Sequence, residues 1–197
     1  GYYETPSDAM TIIAVTGTNG KTTVTRWLAQ ALNHLGKKAA VIGTLGYGEP
    51  DQLKAHTGLT TPDVVGVHHL LHELRQHQFD TVCIEASSIG LEQRRLACVS
   101  IDVALFTNLS QDHLDYHGDM AAYGRSKMIL ASWPTLRLAV VNADDSFGME
   151  FLANVQRRNI DCSAVGRADS AECQILSVAH QENGQRIELK INGASTQ

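Results

Sequence analysis

Short apolar runs and helical stripes alternate along the chain from Ile12 to Val165. The runs Ile12 to Val15, Ala39 to Gly43, Thr81 to Glu85, Ile101 to Phe106, Leu138 to Val141 and Cys162 to Val165 have the length of buried strands. Val24, Trp27, Leu28, Ala31, Leu32 and Leu35 recur at steps of three and four, which predicts one helical stripe, and Gly36 follows as its stop. Thr60-Thr61-Pro62-Asp63 opens a second helix, with Thr61 as N-cap and Pro62 at the first helical position. Its predicted buried face is Val64, Val67, Leu70, Leu71 and Leu74. Further helices are predicted over Met120 to Ala131 and Ser146 to Arg158. Thr44 to Leu59 has the character of a long glycine-containing loop, and Gly1 to Met10 that of a linker. After Glu172 the period changes: Gln174 to Val178 and Arg186 to Ile191 alternate around Asn183-Gly184, an antiparallel hairpin. Strands alternating with helices imply an α/β fold, a mostly parallel sheet covered on both faces, ending in that hairpin.

Between the first strand and the first helix stands Thr16-Gly17-Thr18-Asn19-Gly20-Lys21-Thr22-Thr23. A glycine turn leading into a helix points backbone N–H groups and the positive end of the helix dipole at one spot, a cradle for phosphate. Lys21 would neutralise β/γ-phosphate charge and the Thr22 hydroxyl would reach a Mg²⁺ ion. Only two residues separate Gly17 from Gly20-Lys21, where the general motif has four. An ordinary tight turn explains the glycines but not a lysine and two threonines opening the helix. In parallel sheets, ligands bind beyond the carboxyl ends of the strands. Thr16, Glu85, Asn108 and Asn142 lie at such ends, with Ser87 and His113 just beyond.

The 197 residues fit one α/β domain with a full core, and 43% hydrophobic content is ordinary for a globular protein. A net charge of −5 argues against general affinity for nucleic acid or anionic membrane. No apolar run approaches the roughly 18 residues of a membrane span, and no signal peptide is visible. Cys83, Cys98, Cys162 and Cys173 show no paired spacing, and two lie in strand-like runs, which fits buried free thiols in a reducing cytoplasm.

Two features resist the simple pattern. His68 and His72 are spaced like a metal pair, but no third ligand accompanies them, and a solvated helix face accounts for both. On the helix from Met120 to Ala131, Lys127 falls among Met120, Tyr123, Leu130 and Ala131. A lysine on an apolar face snorkels outward, finds an acid or loses its charge. A neutral amine can also take up CO₂ as a carbamate, an anionic metal ligand. The pattern by itself favours snorkelling.

These motifs resemble a known family. Gly17-Thr18-Asn19-Gly20-Lys21-Thr22-Thr23 is similar to the short phosphate loop of the Mur ligases, cytoplasmic amide-forming enzymes of peptidoglycan synthesis. Glu85-Ala86-Ser87-Ser88-Ile89-Gly90-Leu91 resembles their E-V-S-S-H-G-L segment. Asn108 to Gly118 resembles the N-L-x-x-D-H-L-D-Y-H-G run of the MurE-type branch, which extends UDP-N-acetylmuramoyl-L-alanyl-D-glutamate by one amino acid. The resemblance implies a central ATP-binding domain over residues 11–197, preceded by a linker over residues 1–10. It also implies an N-terminal UDP-binding domain and a C-terminal amino-acid-selecting domain outside this chain, so that the piece alone is inactive.

By position, the resemblance makes Gly17, Thr18, Asn19, Gly20, Lys21, Thr22, Thr23 and Asn142 ATP-binding, and Thr22 and Glu85 ligands of the Mg²⁺ on ATP. His113 becomes a ligand near a second Mg²⁺, and Lys127, fourteen residues later, matches the carbamylated lysine that holds it. This reverses the snorkelling reading. Lys21, His113 and Lys127 are the implied catalytic residues. Thr60, Thr61, Ser87, Gln93 and Arg95 match positions that bind the UDP-muramoyl-dipeptide. The implied reaction activates the D-glutamyl carboxylate as an acyl phosphate, which an incoming amine attacks; meso-diaminopimelate is preferred over L-lysine. A cytoplasmic monomer is expected, with no nucleic-acid or membrane partner. Ala86 and Ile89 replace the usual Val and His, and Leu59 stands where some relatives carry Asn; none removes a required charge. A folylpolyglutamate synthase-like ligase of the same fold is the nearest alternative, and a phosphate-loop NTPase switch is the alternative from another class.

Overall fold

The computed structural model describes residues 5–55, 58–191 and 194–196. Six parallel strands form the centre: β1 (Thr11–Thr16), β2 (Ala39–Gly43), β5 (Thr81–Glu85), β6 (Val103–Phe106), β7 (Leu138–Asn142) and β8 (Asp161–Gly166). They lie in the order β8-β7-β6-β1-β5-β2. The 11-stranded sheet is extended beyond β2 by antiparallel β3 (Gly46–Glu49) and β4 (Gln52–Lys54). Beyond β8 come β9 (Cys173–Gln181), β10 (Gly184–Ile191) and β11 (Ala194–Thr196). β9 runs parallel to β8 and antiparallel to β10.

Alternate residues of the central strands face two cores. Ile13, Ala39, Val41 and Cys83 meet Ala29 of α1 (Lys21–His34), with Leu28 and Leu32 packed against them. Ile12, Ala14, Ala40, Ile42, Val82, Ile84, Ala104 and Val141 line the larger core on the opposite face. That face is covered by α2 (Val64–Gln76), α3 (Ser88–Glu92), α5 (Met120–Ala131) and α6 (Ser146–Gln156), which contribute Leu71, Leu91, Leu130 and Phe151 among others. A one-turn helix, α4 (Leu114–His117), precedes α5. Burial on both faces explains why β1, β2 and β5 are continuously apolar, whereas β6 and β7 alternate buried and half-buried positions, with α1 packed over β1, β2 and β5.

Several expectations need correction. The α1 stripe is shifted: Thr25 and Ala29 are buried, whereas Trp27 is 67% and Leu35 80% exposed. Val64, expected inside, is exposed. Thr61 does not cap α2; the Asp63 carboxylate does, accepting from Gly66 N at 2.9 Å. The segment after β2 is not all loop, because β3 and β4 add an antiparallel hairpin at the sheet edge; His56 and Thr57 lie outside the described residues. The hairpin turn near the C-terminus is Glu182-Asn183, since Gln181 pairs with Gly184. Of the expected linker, residues 1–4 lie outside the described set; Pro6–Ala9 form a 3-10 turn in which Pro6 and Ser7 are buried and Ser7 Oγ accepts from Ser100 N at 3.0 Å.

Candidate functional site

The phosphate loop bridges the carboxyl end of β1 and the start of α1. Gly17 (φ +143) and Gly20 (φ +84) adopt backbone conformations that glycine alone takes without strain. A Cβ on Gly17 would lie 1.9 Å from Thr107 Oγ1, so the loop also presses against the segment after β6. That segment laces it down. Thr18 N donates to Asn108 O at 2.8 Å, Asn19 N to Asn108 Oδ1 at 3.0 Å, and Asn108 Nδ2 to Asn19 O at 3.1 Å. Thr107 Oγ1 donates to Asn19 O at 2.7 Å and Ser110 N to Thr18 Oγ1 at 2.9 Å. Neither Thr107, Asn108 nor Ser110 was singled out from the sequence as a loop support. Asn108 carried the signal, by standing at a strand's carboxyl end.

The N-cap of α1 is Gly20, which has no side chain to cap the helix, so among the described residues its first-turn N–H groups have no capping side chain. The Thr16 hydroxyl, fully buried where the loop begins, has no hydrogen-bond partner among the described residues either. An uncapped helix start in a glycine turn suits an anion. Lys21 Nζ folds back onto Gly17 O at 2.9 Å and Thr18 O at 2.8 Å. Burial lowers the Lys21 pKa from its ordinary value, with Glu85 and Asp112 opposing. Thr23 is exposed at the rim.

Glu85, at the end of β5, is 1% exposed and accepts from three donors. Thr22 Oγ1 donates to Oε2 at 3.0 Å, Thr44 N to Oε1 at 2.9 Å and Thr44 Oγ1 to Oε2 at 3.2 Å. A hydroxyl beside a carboxylate at the loop's edge is the hard-oxygen pair that Mg²⁺ takes, with phosphate and water completing its shell. Thr44 was missed, although it follows the carboxyl end of β2 and the same strand-end rule points to it. Thr44 Oγ1 also lies 3.0 Å from Thr60 Oγ1.

The second cluster runs from β5 into α3. Thr61 is buried and its hydroxyl donates to Glu85 O at 2.7 Å. Ser87 caps α3, its Oγ accepting from Gly90 N at 3.0 Å, and lies 3.0 Å from Thr61 Oγ1. Arg95 donates through Nε and Nη2 to Gln93 Oε1 at 3.0 and 2.7 Å, and through Nη1 to Thr61 O at 2.9 Å. Thr60, Thr61, Ser87, Gln93 and Arg95 are therefore brought together next to Glu85.

Lys127 does not snorkel. It is 1% exposed, donates to Gly17 O at 2.8 Å and lies 4.3 Å above the Tyr123 ring. Burial, with the Lys21 charge second, pushes its pKa down to about 7. Tyr123 Oη in turn meets Thr18 Oγ1 at 3.1 Å. His113 is half-exposed, in a left-handed conformation (φ 50), with Nε2 3.5 Å from Asp112 and its ring edge-on to Tyr123 at 6.3 Å. His113 and Lys127 thus meet on one tyrosine. Among the described residues no group of three His, Cys, Asp or Glu could hold a metal, so any ion here needs Thr22, phosphate, water or a modified Lys127.

Asn142 is turned inward: Nδ2 donates to Thr107 O at 2.8 Å and Oδ1 accepts from Asp144 N at 3.0 Å. It holds the β6 and β7 ends together. His68, expected on a solvated face, is half-buried with Nε2 2.9 Å from Ala97 O. Cys83, Cys98, Cys162 and Cys173 are free thiols, but the expected burial holds only for Cys83: Cys162 and Cys173 are half-buried and Cys98 is exposed. Among the described residues, no helix is long and apolar enough to cross a membrane.

The chain is similar to the UDP-N-acetylmuramoyl-L-alanyl-D-glutamate–2,6-diaminopimelate ligase of Ralstonia nicotianae. The two are 48% identical over 174 residues, 88% of this chain and 34% of that protein. The ligase of the same name from Janthinobacterium is 41% identical across the whole chain, which covers 41% of its length. The chain therefore spans 34% and 41% of the length of these relatives. A solved structure of a ligase of that name superposes with a TM-score of 0.87 at 34% identity, over 95% of this chain and 38% of that one. A Mycobacterium tuberculosis folylpolyglutamate synthase bound to ADP, 19% identical, superposes at 0.76 over 98% of this chain and 50% of that one, and shares the fold. The model of the Mur ligase middle domain matches residues 15–197, and the chain belongs to that family.

Proposed function

We propose that this chain is the nucleotide-binding domain of an ATP-dependent ligase. The ligase joins diaminopimelate to the D-glutamyl carboxylate of UDP-N-acetylmuramoyl-L-alanyl-D-glutamate in the cytoplasm, as a monomer. One observation carries the reading: the phosphate loop, the Thr22–Glu85 pair and the Arg95 cluster form a continuous hydrogen-bonded path at one sheet edge. A nucleotide phosphate and a carboxylate acceptor bound there would be neighbours. The relatives' names supply the identity of the acceptor and of the amine.

The chemistry asked of the residues follows from that placement. The acceptor carboxylate attacks the γ-phosphorus of ATP, the bond to the ADP oxygen breaks, and an acyl phosphate results. The amine then attacks the acyl carbon, phosphate leaves, and the amine proton passes to solvent or a nearby base. Lys21 turns from Gly17 O and Thr18 O to the transferring phosphoryl group and offsets its negative charge. Arg95 pairs with an acidic group of the acceptor, since a guanidinium forks onto a carboxylate or phosphate. Thr22 and Glu85 fit a Mg²⁺ that neutralises phosphate charge when bound.

Lys127 as an ammonium is no metal ligand. With its pKa near 7 a sizeable share is neutral amine at neutral pH, and its nitrogen can bond to CO₂ carbon with loss of a proton. The resulting carbamate, with His113, would hold a second Mg²⁺. Phosphate release by the full-length protein tests the reading, with ATP, Mg²⁺, the UDP-muramoyl-dipeptide and either diaminopimelate or lysine. Release that requires the dipeptide and one amine supports it. Release that requires neither makes the loop part of a plain NTPase.

A further inference from the structure

Helix α4 carries contacts that the ligase chemistry does not use. This four-residue helix lies between the two halves of the site and is tied to both by adjacent residues. His117 has a side chain only 1% exposed, although it sits on a one-turn helix. Its Nδ1 lies 3.0 Å from Glu92 Oε2 and its Nε2 3.0 Å from Ser88 Oγ. A carboxylate at Nδ1 selects the tautomer that donates there, which leaves Nε2 to accept the Ser88 hydroxyl. The order carboxylate, imidazole, hydroxyl is that of a nucleophilic triad. Ser88 is 2% exposed, however, so no substrate carbonyl reaches it, and the arrangement instead fixes α4 to α3.

The neighbouring residue makes a second tie. Gln93 Nε2 donates to Tyr116 Oη at 3.1 Å, while Gln93 Oε1 holds Arg95. On the other side, the His117 ring contacts Tyr123 at 5.2 Å between centroids, and Tyr123 carries Lys127 Nζ on its face and Thr18 at its hydroxyl. His113, at the head of α4, has its carbonyl bonded by Tyr116 N at 3.1 Å and His117 N at 3.0 Å. A shift of α4 therefore moves His113 and Tyr123 on one side and Gln93 and Arg95 on the other.

We propose that Tyr116 and His117 are positioning residues that couple acceptor binding at Gln93 and Arg95 to nucleotide binding at the phosphate loop. The proposal rests on the ligase reading, but part of its test does not. Coupling between two ligands is the factor by which each changes the other's affinity, and it is reciprocal. The experiment measures binding of Mg²⁺·AMP-PNP to the full-length protein, with and without UDP-N-acetylmuramoyl-L-alanyl-D-glutamate, in wild type, Tyr116→Phe and His117→Gln. Phenylalanine removes only the hydroxyl of Tyr116, a residue that is itself exposed. Glutamine keeps an amide within reach of Ser88 and loses Glu92, so both variants are expected to stay folded.

In wild type the acceptor tightens nucleotide binding at least fivefold. In Tyr116→Phe that factor falls below two, and in steady state the acceptor KM rises three- to tenfold with a smaller change in kcat. In His117→Gln the nucleotide affinity drops at least threefold even without acceptor, because Tyr123 and His113 lose their support. A variant with the wild-type coupling factor overturns the proposal. Should the wild-type protein neither bind the dipeptide nor need it for phosphate release, the ligase reading falls. Nucleotide affinity in His117→Gln then decides alone, and an unchanged value ends the positioning role of α4.

Discussion

Gly43 tests how tightly the candidate Mg²⁺ carboxylate is held. It closes β2, and a Cβ built there would lie 2.1 Å from Glu85 Oε1, 2.7 Å from Cδ and 2.8 Å from Cγ. Its φ is not in the left-handed region, so Gly43→Ala perturbs the carboxylate and not the local backbone. Glu85 must swing away and give up part of its bonding to Thr22 Oγ1, Thr44 N and Thr44 Oγ1. Losing two bonds to a buried charge at about 1.5 kcal/mol each costs about 3 kcal/mol. Alanine returns about 0.4–1 kcal/mol by restricting the unfolded chain. The net loss is about 2–2.5 kcal/mol, which for a domain of this size lowers Tm by about 4–10 °C. Urea unfolding of wild type, Gly43→Ala, Glu85→Ala and the double variant gives the coupling directly. With the carboxylate gone, Gly43→Ala becomes neutral or slightly stabilising. Equal costs in the two backgrounds would refute the reasoning, because the clash would then not be with Glu85.

Glu85→Gln raises the Mg²⁺ concentration needed for half-maximal nucleotide binding at least tenfold, and an unaltered Mg²⁺ titration removes Glu85 as a ligand. Arg95→Lys, which cannot fork onto an acidic group, raises the acceptor KM at least tenfold in the phosphate-release assay while leaving the ATP KM within twofold. A thiol reagent at pH 8 labels exposed Cys98 in the native protein and reaches Cys83 only on unfolding, since burial pushes the Cys83 thiol up to about 12; mass mapping of the labelled sites checks this. For Lys127 the folded pKa of about 7 lies below the unfolded 10.5. Between those values the unfolded chain binds more protons, so stability rises with pH, and the cost of the buried charge is fully present only below pH 7. From pH 7.5 to 9.5 that contribution is about 2–3 kcal/mol. It disappears in Lys127→Met when urea midpoints are measured in CO₂-free buffer; the same rise in both proteins would mean that Lys127 is charged where it lies.

The parallel core was legible because its strands stand in the chain as continuous apolar runs, most fully in β1, β2 and β5, which are buried on both faces. Strand ends then located Thr16, Glu85 and Asn108 without any side-chain geometry. What escaped had no periodic signature. The β3–β4 hairpin pairs only three or four residues per strand, and Gly46 and Gly48 there (φ 131 and 113) made it look like loop. The α1 stripe misled because the small residues Thr25 and Ala29, not the large Trp27 and Leu35, pack closely on the sheet. Thr61-Pro62-Asp63 satisfies the helix-cap pattern at two registers, with either Thr61 or Asp63 as the cap. The carboxylate of Asp63 takes the cap and frees the Thr61 hydroxyl for Glu85 O and Ser87.

Lys127 shows where pattern reasoning ends and long-range structure begins. From helix geometry alone an ammonium on an apolar face goes to water. Nothing local contradicts that, because what holds it is Gly17 O, 110 residues away, and a tyrosine one turn back on its own helix. The Gly17 carbonyl already accepts Lys21, so two amines converge on one oxygen and their mutual repulsion adds to burial in favouring a neutral Lys127. An anion at the phosphate loop would draw Lys21 toward it and remove that repulsion. A carbamate on Lys127 would reverse the interaction altogether, from two like charges to an attractive pair. The same geometry that makes Lys127 an improbable lysine makes it a suitable place for a lysine that has ceased to be a cation.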